Sequence, residues 1–150
     1  MSEKTIISPF QILDWRILAF SCSNPILNIS ENIEHRWTIK AHIENIEPEE
    51  SMLRAVVQIE FHFYAEQDGQ KITMDGQCVA MCEMDINSTQ EAESTFKSLL
   101  SRTAMTNSLA NLRVFLLQAG NLHQMGPKRI MLPFINLNYF TFDEEITFTT

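Results

Sequence analysis

The sequence predicts an α+β fold: a four-stranded antiparallel meander sheet, covered on one face by one long helix and an extended C-terminal segment. Residues 52–85 alternate apolar and polar side chains, an Asp68-Gly69 pair interrupts that alternation, and helical periodicity begins only afterwards. A period of two gives a strand one apolar and one polar face. Strands therefore come first along the chain, and their helical cover follows.

Residues 52–85 form the central hairpin of this prediction. Leu53 to Phe63 and Ile72 to Met84 place every second residue on a mainly apolar row. An Asp-Gly pair between two alternating runs is a strong hairpin signal, because both residues tolerate positive φ. We expect the apolar rows to pack under the helix and the polar rows, which end at Glu83, to face outward.

Two further strands complete the predicted sheet. Residues 10–20 are apolar but slip in phase, which a bulge near Leu13 would explain. Residues 37–43 alternate cleanly, and residues 21–34 between the two strands are rich in turn formers. The chain order allows all four strands to form one meander within a single domain spanning residues 1–150.

The second half of the chain carries the helical pattern. A helix is expected over residues 89–119, where Ser88 followed by Glu91 has the spacing of a capping box. Beyond it, residues 129–140 are extended and strongly apolar, and residues 146–150 resemble a strand. These segments supply the cover that the apolar sheet face needs.

The expected helix changes its apolar face along its length. One stripe passes through Phe96, and a second begins at Met105, nine residues later. At about 100° per residue these stripes lie about 180° apart. Either the helix breaks near residues 106–108, or its two halves bury different faces and the extra face needs another subunit.

Composition limits the class of protein. With 45% hydrophobic and 20% charged residues, the chain is globular in type, and its apolar runs fall far short of the roughly 20 residues that cross a bilayer. The N-terminus lacks the apolar core of a secretory leader, so we expect a cytoplasmic location without membrane insertion. A formal charge of −8 repels phosphate backbones, which argues against nucleic acid and favours a basic or unfolded partner.

No pattern predicts catalysis, a metal site or a cofactor. Cys78 and Cys82 lie on one strand face about 13 Å apart, too far to bridge or chelate, and we expect them to be buried and reduced. His42 and His62 with Glu60 could build an acid–base or metal site. An enzyme is the weakest hypothesis, because histidines on a sheet face are commonly just solvated.

Methionines and an apolar tail are the candidates for a client-binding surface. The flexible thioether of methionine suits surfaces that accept many apolar shapes, although core packing is its commoner use. Met105, Met125 and Met131 fall in the helix and the following loop. Phe134 and Leu137 belong to a tail that one helix on four strands would not fully hide, which would leave an association or client surface.

Several strings resemble the SecB protein-export chaperone family. They are residues 10–12 (FQI) in the first strand, 24–25 (NP) in the following loop, 80–83 (AMCE) in the fourth strand and 127–140 (PKRIMLPFINLNYF) before the last element. The last string is similar to the family's Pro-rich loop and the start of its final helix. The order of elements agrees over roughly residues 10–140.

This resemblance implies a four-stranded antiparallel sheet with helices on one side, assembled as a homotetrameric dimer of dimers through those helices. It implies ATP-independent holding of unfolded preproteins in hydrophobic grooves for export and translocation. It also implies docking to the SecA translocase motor through the outer sheet face. The partner-binding residues carried over from the fourth-strand string are Cys82 and Glu83.

The chain departs from the family at two places. Ala19 and Ser23 stand where the family carries acidic residues near the end of its first strand, and a β-rich ending replaces the family's closing helix. One alternative is therefore a solitary SecB-like chaperone for a dedicated client such as an unstable antitoxin. Another is a small-molecule or lipid-binding α+β domain with a closed pocket between sheet and helix.

Overall fold

A computed structural model describes residues 7–30, 32–119 and 131–149. It confirms an α+β fold in which an antiparallel sheet is covered by one long helix and an extended C-terminal region. The strands are β1 Phe10–Ser23, β2 His35–Glu49, β3 Met52–Gln67, β4 Gln70–Asp85 and β5 Ile146–Thr149. The helical elements are α1 Ala92–Leu99, a π-helical segment Leu100–Ala104, α2 Met105–Ala119 and a 3-10 turn Leu137–Tyr139.

The strand order is β1-β4-β3-β2-β5, which differs from the expected four-stranded meander. Only β2, β3 and β4 form a meander; β1 pairs with β4 at the far side of the sheet, and β5 adds a fifth strand beside β2. Residues 24–30 and 32–34 lie between β1 and β2, and Ile26, Ile29 and Ile33 among them are buried. A direct β1–β2 hairpin would leave no reason for these isoleucines to be buried, since a tight turn lies at the surface.

The β3–β4 hairpin forms as predicted. Asp68 and Gly69 have φ of 52° and 78°, the positive values that a two-residue turn of matching twist requires. Glu50 and Ser51 join β2 to β3 in the same way, with φ of 52° and 65°. The apolar rows of both hairpins consequently share one face of the sheet.

Strand β1 carries two bulges. One falls at Leu13, as its phase slip predicts, and a second falls at Leu18. Each bulged leucine is about half exposed, at 48% and 52%. Because a bulge inserts one unpaired residue, the alternation resumes afterwards and brings Trp15 and Phe20 back to the covered face.

The expected capping box does not form. The hydroxyl of Ser88 donates to the carbonyl of Asp85 at 2.7 Å, so it is engaged in the turn that ends β4. Helix α1 begins only at Ala92, and its N-cap residue Glu91 makes no side-chain capping bond. The spacing matches the motif, but the hydroxyl has a nearer backbone partner.

The long helix does not break at residues 106–108. The π-helical segment Leu100–Ala104 joins its two halves, and the buried residues follow at steps of four through both of them. In an α-helix, four residues turn through about 400°, so a stripe of buried residues spaced by four rotates about 40° around the helix at each step. The wider π turn takes up one extra residue and so reduces this rotation. The buried residues at this spacing are Ala92, Phe96, Leu100, Ala104, Ser108, Leu112 and Leu116.

The helix lies along the β1 side of the sheet. Near its start Phe96 packs on Phe10, with ring centroids 5.9 Å apart, and near its end Phe115 meets Phe20 edge-on at 5.1 Å. Ile26, Ile29 and Ile33 between β1 and β2, and Phe142 and Phe148 of the C-terminal segment, complete the same core. Within the described ranges, none of the helices combines the length and apolar character that a membrane span needs.

The cysteines make a first prediction. Burial raises the pKa of Cys78 to about 12 and that of Cys82 to about 11, while Cys22 is exposed. At pH 8 the two buried thiols hold almost no thiolate, the reactive form. A thiol-specific reagent should therefore modify one cysteine in the folded chain and three after denaturation. Fast reaction of two or more thiols in the folded chain would contradict this packing.

A second prediction concerns Gly76 in the middle of β4. A Cβ at this position would lie 2.5 Å from Cζ of Phe61 and 2.6 Å from the carbonyl oxygen of Ala19. Gly76→Ala should lower the free energy of unfolding by about 1–3 kcal/mol, because both strands flanking β4 must shift. Urea denaturation measures the change, with the exposed Gln77→Ala as the control. A cost no larger than that of the control would show that the sheet has room there.

Candidate functional site

An open apolar groove lies between α1, the π-helical segment and the ends of β2 and β3. Its volume is about 560 Å³. Its apolar lining consists of Ile43, Ile46, Pro48, Leu53, Phe96, Leu100 and Phe142. Its polar lining consists of Asn45, Arg54, Glu93, Lys97, Ser101 and Asp143.

The groove lies where the C-terminal segment stops short of the end of β2. Strand β5 pairs only with residues 36–39 of β2. Asp143 adds one backbone bond, from its N–H to the carbonyl of Ala41 at 2.8 Å. Beyond that point, among the described residues, no strand pairs with this edge of β2, and Ile46 there is 37% exposed.

The rim of the groove is charged while its floor is apolar. Nη1 of Arg54 donates to Oε2 of Glu49 at 2.9 Å, and Glu93 and Lys97 stand on the helical wall. Phe96 on the floor is only 4% exposed. An apolar floor with a polar rim suits a chain segment that buries apolar side chains and keeps its backbone ends in water.

The side chains predicted to bind clients lie elsewhere. Met105 is fully buried in the core, Met131 and Leu137 are half-buried, and Phe134 is 85% exposed. Met125 lies outside the described residues. Of the four described side chains none lines the groove. The methionine at position 105 follows the commoner use of this residue as core filler.

Phe134 and Arg113 form a small second surface. The guanidinium of Arg113 stands 4.2 Å from the ring centroid of Phe134, and its Nη2 donates to Sδ of Met131 at 2.8 Å. Tyr139 nearby in sequence is 83% exposed. The arrangement ties the C-terminal segment to α2 through cation–π contact and leaves one aromatic face open.

The predicted partner-binding pair is divided between the two faces of β4. Cys82 is fully buried on the covered face, whereas Glu83 lies on the outer face beside Arg54 in the β3–β4 register. Successive strand residues point to opposite faces, so adjacent residues cannot serve one surface. Only Glu83 of this pair can meet a partner, and Ala19 on the neighbouring strand is exposed but uncharged.

The predicted acid–base residues are each held by a separate neighbour. Nδ1 of His42 lies 2.6 Å from Oδ1 of Asp143, and Nδ1 of His62 lies 2.5 Å from Oδ1 of Asp75. Glu60 accepts a hydrogen bond from the side chain of Gln77 at 3.0 Å. The histidines stand four ladder positions apart, roughly 13 Å. Within the described part of the chain no three potential metal ligands cluster.

The sequence prediction missed the groove because its walls come from distant parts of the chain. Ile46 and Phe142 line the same groove although nearly a hundred residues separate them, so no local pattern joins them. One signal was present: the apolar residues Ile46 and Pro48 follow Ile43 toward the end of β2. Apolar residues at an uncovered strand end indicate a binding surface.

No protein-family model and no curated protein sequence matches the chain. Among solved structures it is similar to a Mycobacterium tuberculosis protein, the Rv1957 SecB-like chaperone in complex with a ChAD peptide from the Rv1956 HigA1 antitoxin. The TM-score is 0.52 at 15% sequence identity, over 84% of this chain and 90% of that one. At this identity the likeness establishes architecture: the chain has a SecB-like α+β fold.

Proposed function

We propose that the protein is a cytoplasmic, ATP-independent chaperone that holds unfolded polypeptide segments in the groove beside β2. The observation that carries this proposal is an open apolar groove next to a strand edge without a ladder partner among the described residues. Such an edge can hydrogen-bond any extended backbone, while the apolar floor accepts alternate side chains. Binding of this kind needs no chemical step and no bound cofactor.

The shape of the groove favours a polypeptide over a small molecule. The groove is open to solvent, whereas a small-molecule site buries most of its ligand. Each isoleucine-sized side chain buried there contributes about 1.5–3 kcal/mol. Two or three of them, less the cost of ordering the client, give the moderate and reversible affinity that holding requires.

The client class follows from charge. The chain carries a formal charge of −8, which favours basic segments and keeps the loaded chaperone soluble. The solved structure of similar fold contains a peptide of an antitoxin. We infer a dedicated client for this protein as well, an unstable basic protein with an unfolded segment, in preference to general protein export.

The outer face of α2 supports self-association, as the resemblance implied. Arg113 is the one charged residue of this helix, and it contacts Phe134. Its exposed residues are uncharged in a strongly acidic chain, which removes like-charge repulsion between copies. We propose that two copies meet along this face, which consists of Thr106, Asn107, Ala110, Val114 and Gln118.

Docking to the SecA motor is the part of the proposal that rests on the resemblance. Glu83, on the outer face of β4, is the residue that remains as a candidate contact. Arg54 lies opposite Glu83 on β3 and forms an ion pair with Glu49. The surface around Glu83 is therefore less acidic than one that contains carboxylates alone. We propose Glu83 as the contact for a basic partner surface, with the motor as one such partner.

A third prediction tests the groove. Ile46→Glu should weaken binding to chemically unfolded lysozyme, a basic client, by about tenfold to a hundredfold. The substitution removes one apolar contact for a client side chain, whose burial contributes about 1.5–3 kcal/mol to the binding free energy. Binding is measured by fluorescence anisotropy and by suppression of lysozyme aggregation. Leu27→Glu, at a leucine that is 88% exposed outside the groove, is the matched control. Equal losses in both variants would rule out the groove as the site.

A fourth prediction tests the α2 face. The double variant Ala110→Glu, Val114→Glu places two carboxylates one turn apart on the proposed interface. Sedimentation should show a smaller assembly than for the parent chain, while circular dichroism stays the same. Thr95→Glu on the exposed side of α1 serves as the control and should keep the parent mass. An unchanged mass for the double variant would remove α2 from the interface.

A further inference from the structure

We propose that β5 is a placeholder for the client: an extended peptide of alternating apolar and basic residues displaces it and pairs with β2 in its stead. This inference rests on the proposed function and adds the mode of binding and its control. The chain would then carry its own competitor on the surface that recognises clients.

The form of β5 is that of a bound peptide. It consists of four residues and pairs antiparallel with residues 36–39 of β2. Ile146 and Phe148 are half-buried on the covered face, where Phe148 pairs in register with the fully buried Trp37. The hydroxyls of Thr147 and Thr38 lie 3.1 Å apart on the outer face. Backbone pairing with alternate side chains seated below is strand addition.

The polar contacts that tether the segment just before β5 are exposed. Before β5, the N–H of Asp143 donates to the carbonyl of Ala41, and its carboxylate meets His42 at 2.6 Å. The side chains of His42 and Asp143 are 47% and 64% exposed. Exposed polar pairs contribute little to stability. A short edge strand with such tethers opens far more readily than the central strands.

Release of β5 would extend the groove. Phe142 forms part of the groove lining and directly precedes the tether residue Asp143. Removal of this segment would therefore join the open end of β2 to the edge that β5 covers, as one surface over residues 36–48 of β2. A client could then pair along most of this strand instead of its end alone.

The charges along this edge select a basic client. Two exposed acids, Glu44 and Glu47, belong to β2 itself, and three more, Asp143, Glu144 and Glu145, directly precede β5 and would leave with it. Lys40 and Arg36 on β2 pair in register with Glu60 and Tyr64 of β3. With β5 in place, the five carboxylates attract a cationic segment to this edge. After release Glu44 and Glu47 stay beside the bound segment and disfavour pairing with acidic edges, including those of a second copy.

A resident competitor weakens the apparent affinity for clients. The apparent dissociation constant equals the intrinsic one divided by the fraction of time that the edge is open. The competitor also protects the edge from indiscriminate pairing, which unpaired strands otherwise invite. Clients that match both the pattern and the charge would gain entry, whereas most unfolded chains would not. Strand β5 thus adds selectivity to a groove whose apolar floor would accept any apolar side chain.

The test locks and releases β5 in the full-length chain. The lock is Thr38→Cys with Thr147→Cys in a Cys22→Ser background, because the two hydroxyls already lie 3.1 Å apart. The release variant is Thr147→Pro, which cannot donate to the ladder. The control is Glu145→Gln, next to β5. The probe is a fluorescein-labelled synthetic peptide of alternating lysine and leucine.

The oxidised lock should bind the peptide at least tenfold more weakly than the same protein after reduction, and Thr147→Pro should bind it several-fold more tightly than the control. Hydrogen exchange of the release variant should be faster at β5 and unchanged in β3 and β4. Equal affinities of oxidised and reduced lock would overturn strand exchange while leaving the groove as a client site. Absence of binding in every form, parent included, would overturn both the chaperone function and this inference.

Discussion

One helix must cover a sheet that is wider than the helix. The apolar rows of β2, β3 and β4 form a continuous face, and the helix of residues 92–119 is the long element available to bury it. A helix is about 10–12 Å across, whereas five strands span about 19 Å between the outermost axes. Because the helix lies along β1 and β4, the β2 side depends on irregular segments for its cover. The groove is the space that those segments leave.

The same constraint explains the π-helical segment. A straight α-helix with buried residues every four positions would rotate its apolar stripe away from the sheet within a few turns. The π turn at Leu100–Ala104 takes up one residue and keeps Ser108 and Leu116 on the buried side. It stands at the wall of the groove, where Leu100 and Ser101 are lining residues. The same π-helical segment therefore keeps the helix packed on the core and forms part of the groove wall.

Most local chemistry was predictable from the sequence, apart from the capping box at Ser88, and long-range pairing was not. The Asp68-Gly69 turn, the Leu13 bulge and the strand of residues 146–149 follow from residue types within a few positions. The partner of β1 does not, because both edges of the β2–β4 meander offer free backbone groups and the alternation of β1 fits either. The groove, the division of Cys82 from Glu83 and the burial of Met105 likewise depend on tertiary packing.

The central claim is that unfolded chains bind beside β2, and hydrogen exchange of the protein with and without unfolded lysozyme tests it most directly. Client binding should slow exchange at residues 43–48 of β2 and at residues 93–101 of the helical wall. The middle of β3 around Glu60 and His62 should exchange at the same rate in both states. Protection confined to that part of β3, or no protection anywhere, would contradict the account.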